Sequence, residues 1–190
     1  MPSRAQTTTV LRLGGWTAYL SGAVAAIGLL FWFARFAFPG SVIGWLNDVF
    51  VMIQYALTVP IAVSLHTLLQ SYNPGRSLSA MVVGVGGMVA VVVLQFLLVV
   101  DALTFAQQVL PVTTAILVVG LWLVITGYLA RTTGKLPHSL RMSLIAVPYF
   151  GYPIWAFWLG RHLLQLVGEP VSGPGAGAER HLATTDHGRS

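Results

Sequence analysis

The apolar runs at residues 13–34, 49–69, 78–100, 109–130 and 142–160 hold no Asp, Glu, Lys or Arg. A hydrocarbon layer about 30 Å thick is crossed by about 20 residues of helix. Lipid offers no partner to an unpaired N–H or C=O, so a chain of this kind must satisfy its backbone within helices. The fold class that follows is all-α: a polytopic transmembrane helical bundle of about five spans.

Composition removes the soluble alternative. Only 8% of the 190 residues are charged and 56% are hydrophobic, against roughly 25% charged in a soluble domain. The spans and their short connections use nearly the whole chain. One membrane domain is therefore expected at 13–168, between a basic lead at 1–12 and a tail at 169–190. The tail is rich in Gly, Pro and polar residues, so it buries too little apolar area to offset ordering and is expected to be disordered. Ala23-Val24-Ala25 could mimic a signal-peptide cleavage site. Hydrophobicity continues well beyond it, so the first span is read as an uncleaved helix.

Basic residues resist translocation and gather on the cytoplasmic side. With five spans, Arg4, Arg12, Arg76, Arg131, Lys135 and Arg141 share one face, and Arg35 and Arg161 border the other. This places the N-terminus in the cytoplasm and the C-terminus outside, as a multi-pass protein of a bacterial cytoplasmic (inner) membrane. The net charge of +5 has the same origin. Without a basic stripe interleaved with aromatics, nucleic acid is not expected as a partner.

Several chemistries are excluded. There is no cysteine, hence no disulfide, thiolate catalysis or iron–sulfur ligation. No metalloprotease, nucleophile-elbow or phosphate-loop motif is present, and the single lysine, Lys135, falls in a loop. A non-enzymatic protein without a metal or fixed cofactor is expected.

The polar residues near the spans form the candidate sites. Arg35, Asp48, Asp101 and Arg161 fall at the predicted outer interface, with Gln54 and Gln95 about 8 Å deeper at 1.5 Å per residue. They are either helix-end anchors or the vestibule of a ligand or ion site, since ionisable groups near hydrocarbon are costly. Gln54 and Gln95 share a depth and could hydrogen-bond across a helix pair. In span five, Tyr149, Tyr152 and Trp155 recur every three residues beside Pro148 and Pro153. They form either a packing stripe or an aromatic pocket for a lipid, quinone or isoprenoid-like ligand. Small residues at Ala18, Gly22 and Ala26, and at Ala80, Gly84, Gly86 and Ala90, permit close helix approach, within the chain or in a homo-oligomer.

Residues 149–161, Tyr-Phe-Gly-Tyr-Pro-Ile-Trp-Ala-Phe-Trp-Leu-Gly-Arg, resemble the last helix of a family of small bacterial multi-pass membrane proteins of no assigned activity. Leu46-Asn47-Asp48, Gln54 and Pro60 are similar to an earlier helix of that family. The resemblance implies a compact helical bundle and brings no catalytic residue. Two functions from different classes remain. One is an accessory subunit of a membrane complex or a binder of a small hydrophobic ligand, with membrane lipids and a membrane protein as partners. The other is a small transporter or channel with an outward-facing polar vestibule.

Overall fold

The computed structural model describes residues 4–38, 42–71, 73–133 and 151–168. Among these residues there are five helices and no strand: α1 (Arg4–Ala37), α2 (Ile43–Leu69), α3 (Pro74–Val99), α4 (Phe105–Thr133) and α5 (Tyr152–Gly168). The first four are long and apolar enough to cross a membrane. α5, at 17 residues, reaches about 25 Å. The first part of the predicted fifth span, Tyr149 included, and the predicted disordered tail lie outside the described residues.

Each long helix starts earlier than hydropathy predicts; at α1, α3 and α4 polar side chains bond to the backbone or to one another near the beginning, whereas α2 starts with no side-chain cap. α1 takes in the polar lead: the Thr9 hydroxyl donates to Ala5 O at 3.0 Å and that of Thr17 to Leu13 O at 2.9 Å, which lets polar residues sit in a helix. Asn73-Pro74-Gly75 opens α3. Asn73 Oδ1 accepts from Arg76 N at 3.1 Å, and Pro74 occupies the first helical position, where a missing N–H costs nothing. α4 begins at a capping box, in which Gln107 Oε1 accepts from Thr104 N and Thr104 Oγ1 at 3.0 and 2.9 Å. Pro111 therefore lies inside α4.

The helices pack in the spatial order α5, α1, α2, α3, α4, with α1 through α4 alternating in direction. Glycine sets the separation where helices approach most closely. A methyl group at Gly160 would lie 2.9 Å from Gly15 O, and one at Gly22 would lie 3.1 Å from Pro153 O. Gly84 is the seat of the Trp122 indole, and Gly87 lies under Val118 and Val119. The small-residue pattern thus serves contacts within the chain at Ala18, Gly22, Ala80 and Gly84, whereas Gly86 faces open space. The core runs through Ala18, Ile61, Leu65, Met88, Trp122 and Leu159.

These contacts fix the direction of α5. Tyr152 meets Ser21, midway along α1, while Gly160 meets Gly15 and Leu163 meets Gly14. α5 therefore starts at mid-depth and descends to the end of the bundle where α1 begins. The expectation that the chain's two ends leave at opposite faces rested on a fifth full crossing. α5 instead ends beside the start of α1.

Candidate functional site

A cleft of about 350 Å³ opens in the half of the bundle where α1 ends and α2 begins. Its walls are α1 and α4, whose backbones do not approach each other among the described residues. α2 forms the floor. Each wall presents one helical stripe: Ala25, Gly28, Leu29, Trp32 and Arg35 from α1, and Gln108, Val112, Ile116 and Val119 from α4. Both stripes recur every three or four residues, the spacing of one helix face.

Polarity is graded along the cleft. At the mouth stand Arg35, Asn47 and Asp48. The Arg35 guanidinium lies 5.7 Å from the centre of the Phe105 ring, within cation–π range, and Asn47 Nδ2 donates to Asp48 Oδ1 at 3.4 Å. Just inside come Gln54, Gln95 and Gln108, and below them Tyr55, Val112, Ile116, Val119, Trp122 and Leu123.

At its deep end the cleft meets three hydroxyls. Tyr152 Oη lies 2.7 Å from both Ser21 Oγ and Thr58 Oγ1, and Thr58 Oγ1 donates to Gln54 O at 2.8 Å. Ser21 Oγ also lies 3.4 Å from that carbonyl and 3.3 Å from Thr58 Oγ1, so the three hydroxyls and Gln54 O form one network. The cluster joins α1, α2 and α5, and its hydrogens are all in use. It is a clamp, and it holds no free donor for a ligand.

The sequence-predicted residues divide accordingly. Arg35, Asp48, Gln54 and Gln95 line one cleft. Asp101 does not. It is exposed and adopts a left-handed conformation (φ 58°) at the end of α3, where its N–H donates to Leu98 O and that of Ala102 to Leu97 O. That pattern is a Schellman cap, a position that usually takes glycine. Arg161 is exposed and follows Gly160, at the opposite end of the bundle from Arg35. Of the aromatic trio, Tyr152 lines the cleft. Trp155 is buried behind it at 5.7 Å between ring centres, with its Nε1 unpartnered. Tyr149 lies outside the described residues.

The partner of Gln95 is Gln108, whose Nε2 donates to Gln95 Oε1 at 2.8 Å, and not Gln54. Sequence reasoning missed Gln108 together with Trp122. A signal was available for Gln108: the Thr104–Gln107 capping box places Gln108 in the first turn, in phase with Val112, Ala115, Val119 and Trp122. At the other end of the bundle, His66 Nδ1 and Ser77 Oγ pair at 2.9 Å, joining α2 to α3.

Comparisons with protein-family models, with curated proteins and with solved structures return no match to this chain. The reading of the cleft rests on its own residues.

Proposed function

We propose that this protein binds a membrane amphiphile taken from a single leaflet, with the polar group at the Arg35–Asp48 mouth and the apolar part along α1 and α4. The observation that carries this reading is the graded cleft. From Asp48 to Thr58 on α2, and from Arg35 to Ala25 on α1, the lining descends about 15 Å at 1.5 Å per residue. That is about half of a 30 Å hydrocarbon core. A lipid, quinone or isoprenoid-like molecule has the same polarity profile, and the gap between α1 and α4 gives it a lateral entrance. The volume suits a small or single-chain molecule.

Below Tyr152 the bundle is filled by Ile61, Leu65, Met88 and Leu159, each almost wholly buried. A blind cleft over such a core favours binding over passage across the membrane. Arg12, Arg76, Arg131 and Arg161 are exposed at the other end, so the positive-inside rule turns that end to the cytoplasm and the cleft to the outer leaflet.

The test uses Gly120, which lines the cleft and has open space around it. At Gly120 an added Cβ meets no atom within 4 Å, so Gly120→Leu introduces bulk at the cleft wall without a clash at its first carbon. Lipid extracts of wild type and variant, purified in nanodiscs, are compared by mass spectrometry. A species retained by wild type and lost from a folded Gly120→Leu supports binding in the cleft. Identical extracts, with no species enriched over bulk lipid, overturn it.

A further inference from the structure

We infer that the ligand's polar group is an uncharged carboxamide, read by the Gln95–Gln108 pair. This rests on the cleft reading above and deepens it. Both side chains are more than nine-tenths buried, at 7% and 2% exposure, and both line the cleft. They share one hydrogen bond, from Gln108 Nε2 to Gln95 Oε1, and among the described residues their side chains make no other. Two glutamine amides joined by one hydrogen bond leave one carbonyl oxygen and three N–H groups free, whichever way each amide is turned.

Among the described residues, Trp155 Nε1 is the side-chain nitrogen or oxygen that is both fully enclosed and unpartnered, so no such atom belongs to Gln95 or Gln108, and the cleft is the space these two side chains line. A buried amide left unpaired is costly, and a ligand from the membrane removes that cost only by matching it.

The match is specific. An unpaired N–H beside an unpaired C=O calls for an acceptor beside a donor in the ligand, the two faces of a carboxamide. A carboxylate offers only acceptors and leaves the free glutamine carbonyl without a donor. An ester likewise offers no hydrogen. Arg35 and Asp48, nearer the mouth, carry opposite charges and favour neither a net anion nor a net cation. Sequence spacing alone points to Gln54 as the partner of Gln95, and that pairing would have left a different edge exposed.

The probes are dodecanamide and methyl dodecanoate, matched in chain length, titrated into the full-length protein in nanodiscs. Binding is read by quenching from brominated forms of each, and the amide carbonyl stretch of ¹³C-labelled dodecanamide is read by infrared difference spectroscopy. Wild type should bind the amide about fivefold more tightly than the ester, the gain expected of the one neutral hydrogen bond that only the amide can donate. The ¹³C carbonyl band should shift on binding. Gln95→Leu with Gln108→Leu, volume-conserving and fully apolar, should bring the two affinities together and abolish the shift. Gly120→Leu should block both probes. Equal affinities in wild type, with Gly120→Leu still blocking both, overturn the amide assignment and leave the cleft reading standing. Failure of wild type to bind either probe, with Gly120→Leu indistinguishable from it, overturns both. Should the double variant misfold, Gln95→Glu serves instead. It keeps shape and an acceptor but removes donors, and loss of amide preference there supports the assignment while a retained preference overturns it.

Discussion

Replacing Gly84 with alanine should destabilise the bundle, while the same replacement two residues on, at Gly86, should stabilise it. An alanine methyl at Gly84 would lie 2.5 Å from Trp122 Cδ1 and 2.7 Å from Cδ2, whereas at Gly86 it would meet nothing within 4 Å. Both substitutions gain about 1 kcal/mol from the better helix propensity of alanine. At Gly84 that gain is opposed by overpacking, which costs about 1–3 kcal/mol when a core side chain must move. Trp122 is only 1% exposed and part of the main core, so its ring has few places to go. One of them is the cleft it lines. The expected difference between the two variants is therefore about 1–3 kcal/mol in favour of Gly86→Ala. Reversible unfolding in mixed micelles, followed by circular dichroism, measures it. Gly84→Ala should also shrink the cleft and weaken amphiphile binding. A Gly84→Ala variant as stable as Gly86→Ala would refute the close α3–α4 packing on which the cleft's deep wall depends.

Other variants probe the remaining contacts. Gly160→Ala should cost more than Gly15→Ala, because the first meets the backbone oxygen of Gly15 at 2.9 Å and the second meets chiefly the Leu164 side chain; equal losses in the same unfolding assay would count against that approach of α5 to α1. Tyr152→Phe should lose about 1 kcal/mol at roughly 0.6 kcal/mol per interhelical hydrogen bond, and Thr58→Val should cost less in that background than in wild type, a coupling that strict additivity in a double-mutant cycle would contradict. Asp101→Gly should stabilise by up to about 1 kcal/mol by relieving the left-handed residue and leave probe binding unchanged, as binding titrations would verify. The chain has no cysteine, so single cysteines can be placed at will: Arg161→Cys and Arg76→Cys should react with an impermeant maleimide from one side of the membrane and Asp101→Cys from the other.

The long spans were legible because their signal is local. Uncharged runs of the right length leave a backbone no state in lipid but the helix, and no tertiary detail can alter that. Helix starts were misjudged where hydropathy counted Thr7, Thr8, Thr9, Asn73 and Thr104 as reasons to stop. Thr9, Asn73 and Thr104 in fact bond to the backbone or to a neighbouring side chain at the beginning of a helix. The candidate site was half legible. Arg35, Asp48, Gln54 and Gln95 could be grouped by depth, since depth follows from counting residues along a helix. Arg161 was assigned to the wrong end because counting assumed a fifth full crossing. Gln95 was paired with Gln54 because depth says nothing about which way a side chain faces.

Sequence by itself therefore determined that this chain folds as apolar helices suited to lipid, and, within the first four of them, roughly how deep the polar groups sit, because hydrophobicity and rise per residue are properties of one helix at a time. Tertiary structure decided which faces meet. It ran α5 down from Tyr152 at mid-depth beside the start of α1, turned Gln95 to Gln108, and left α1 and α4 apart so that a cleft remains between them. Those outcomes depend on the fit of Gly15 to Gly160 and of Gly84 to Trp122. In a solvent as apolar as the side chains themselves, the closeness of such contacts is what selects one arrangement of helices over another.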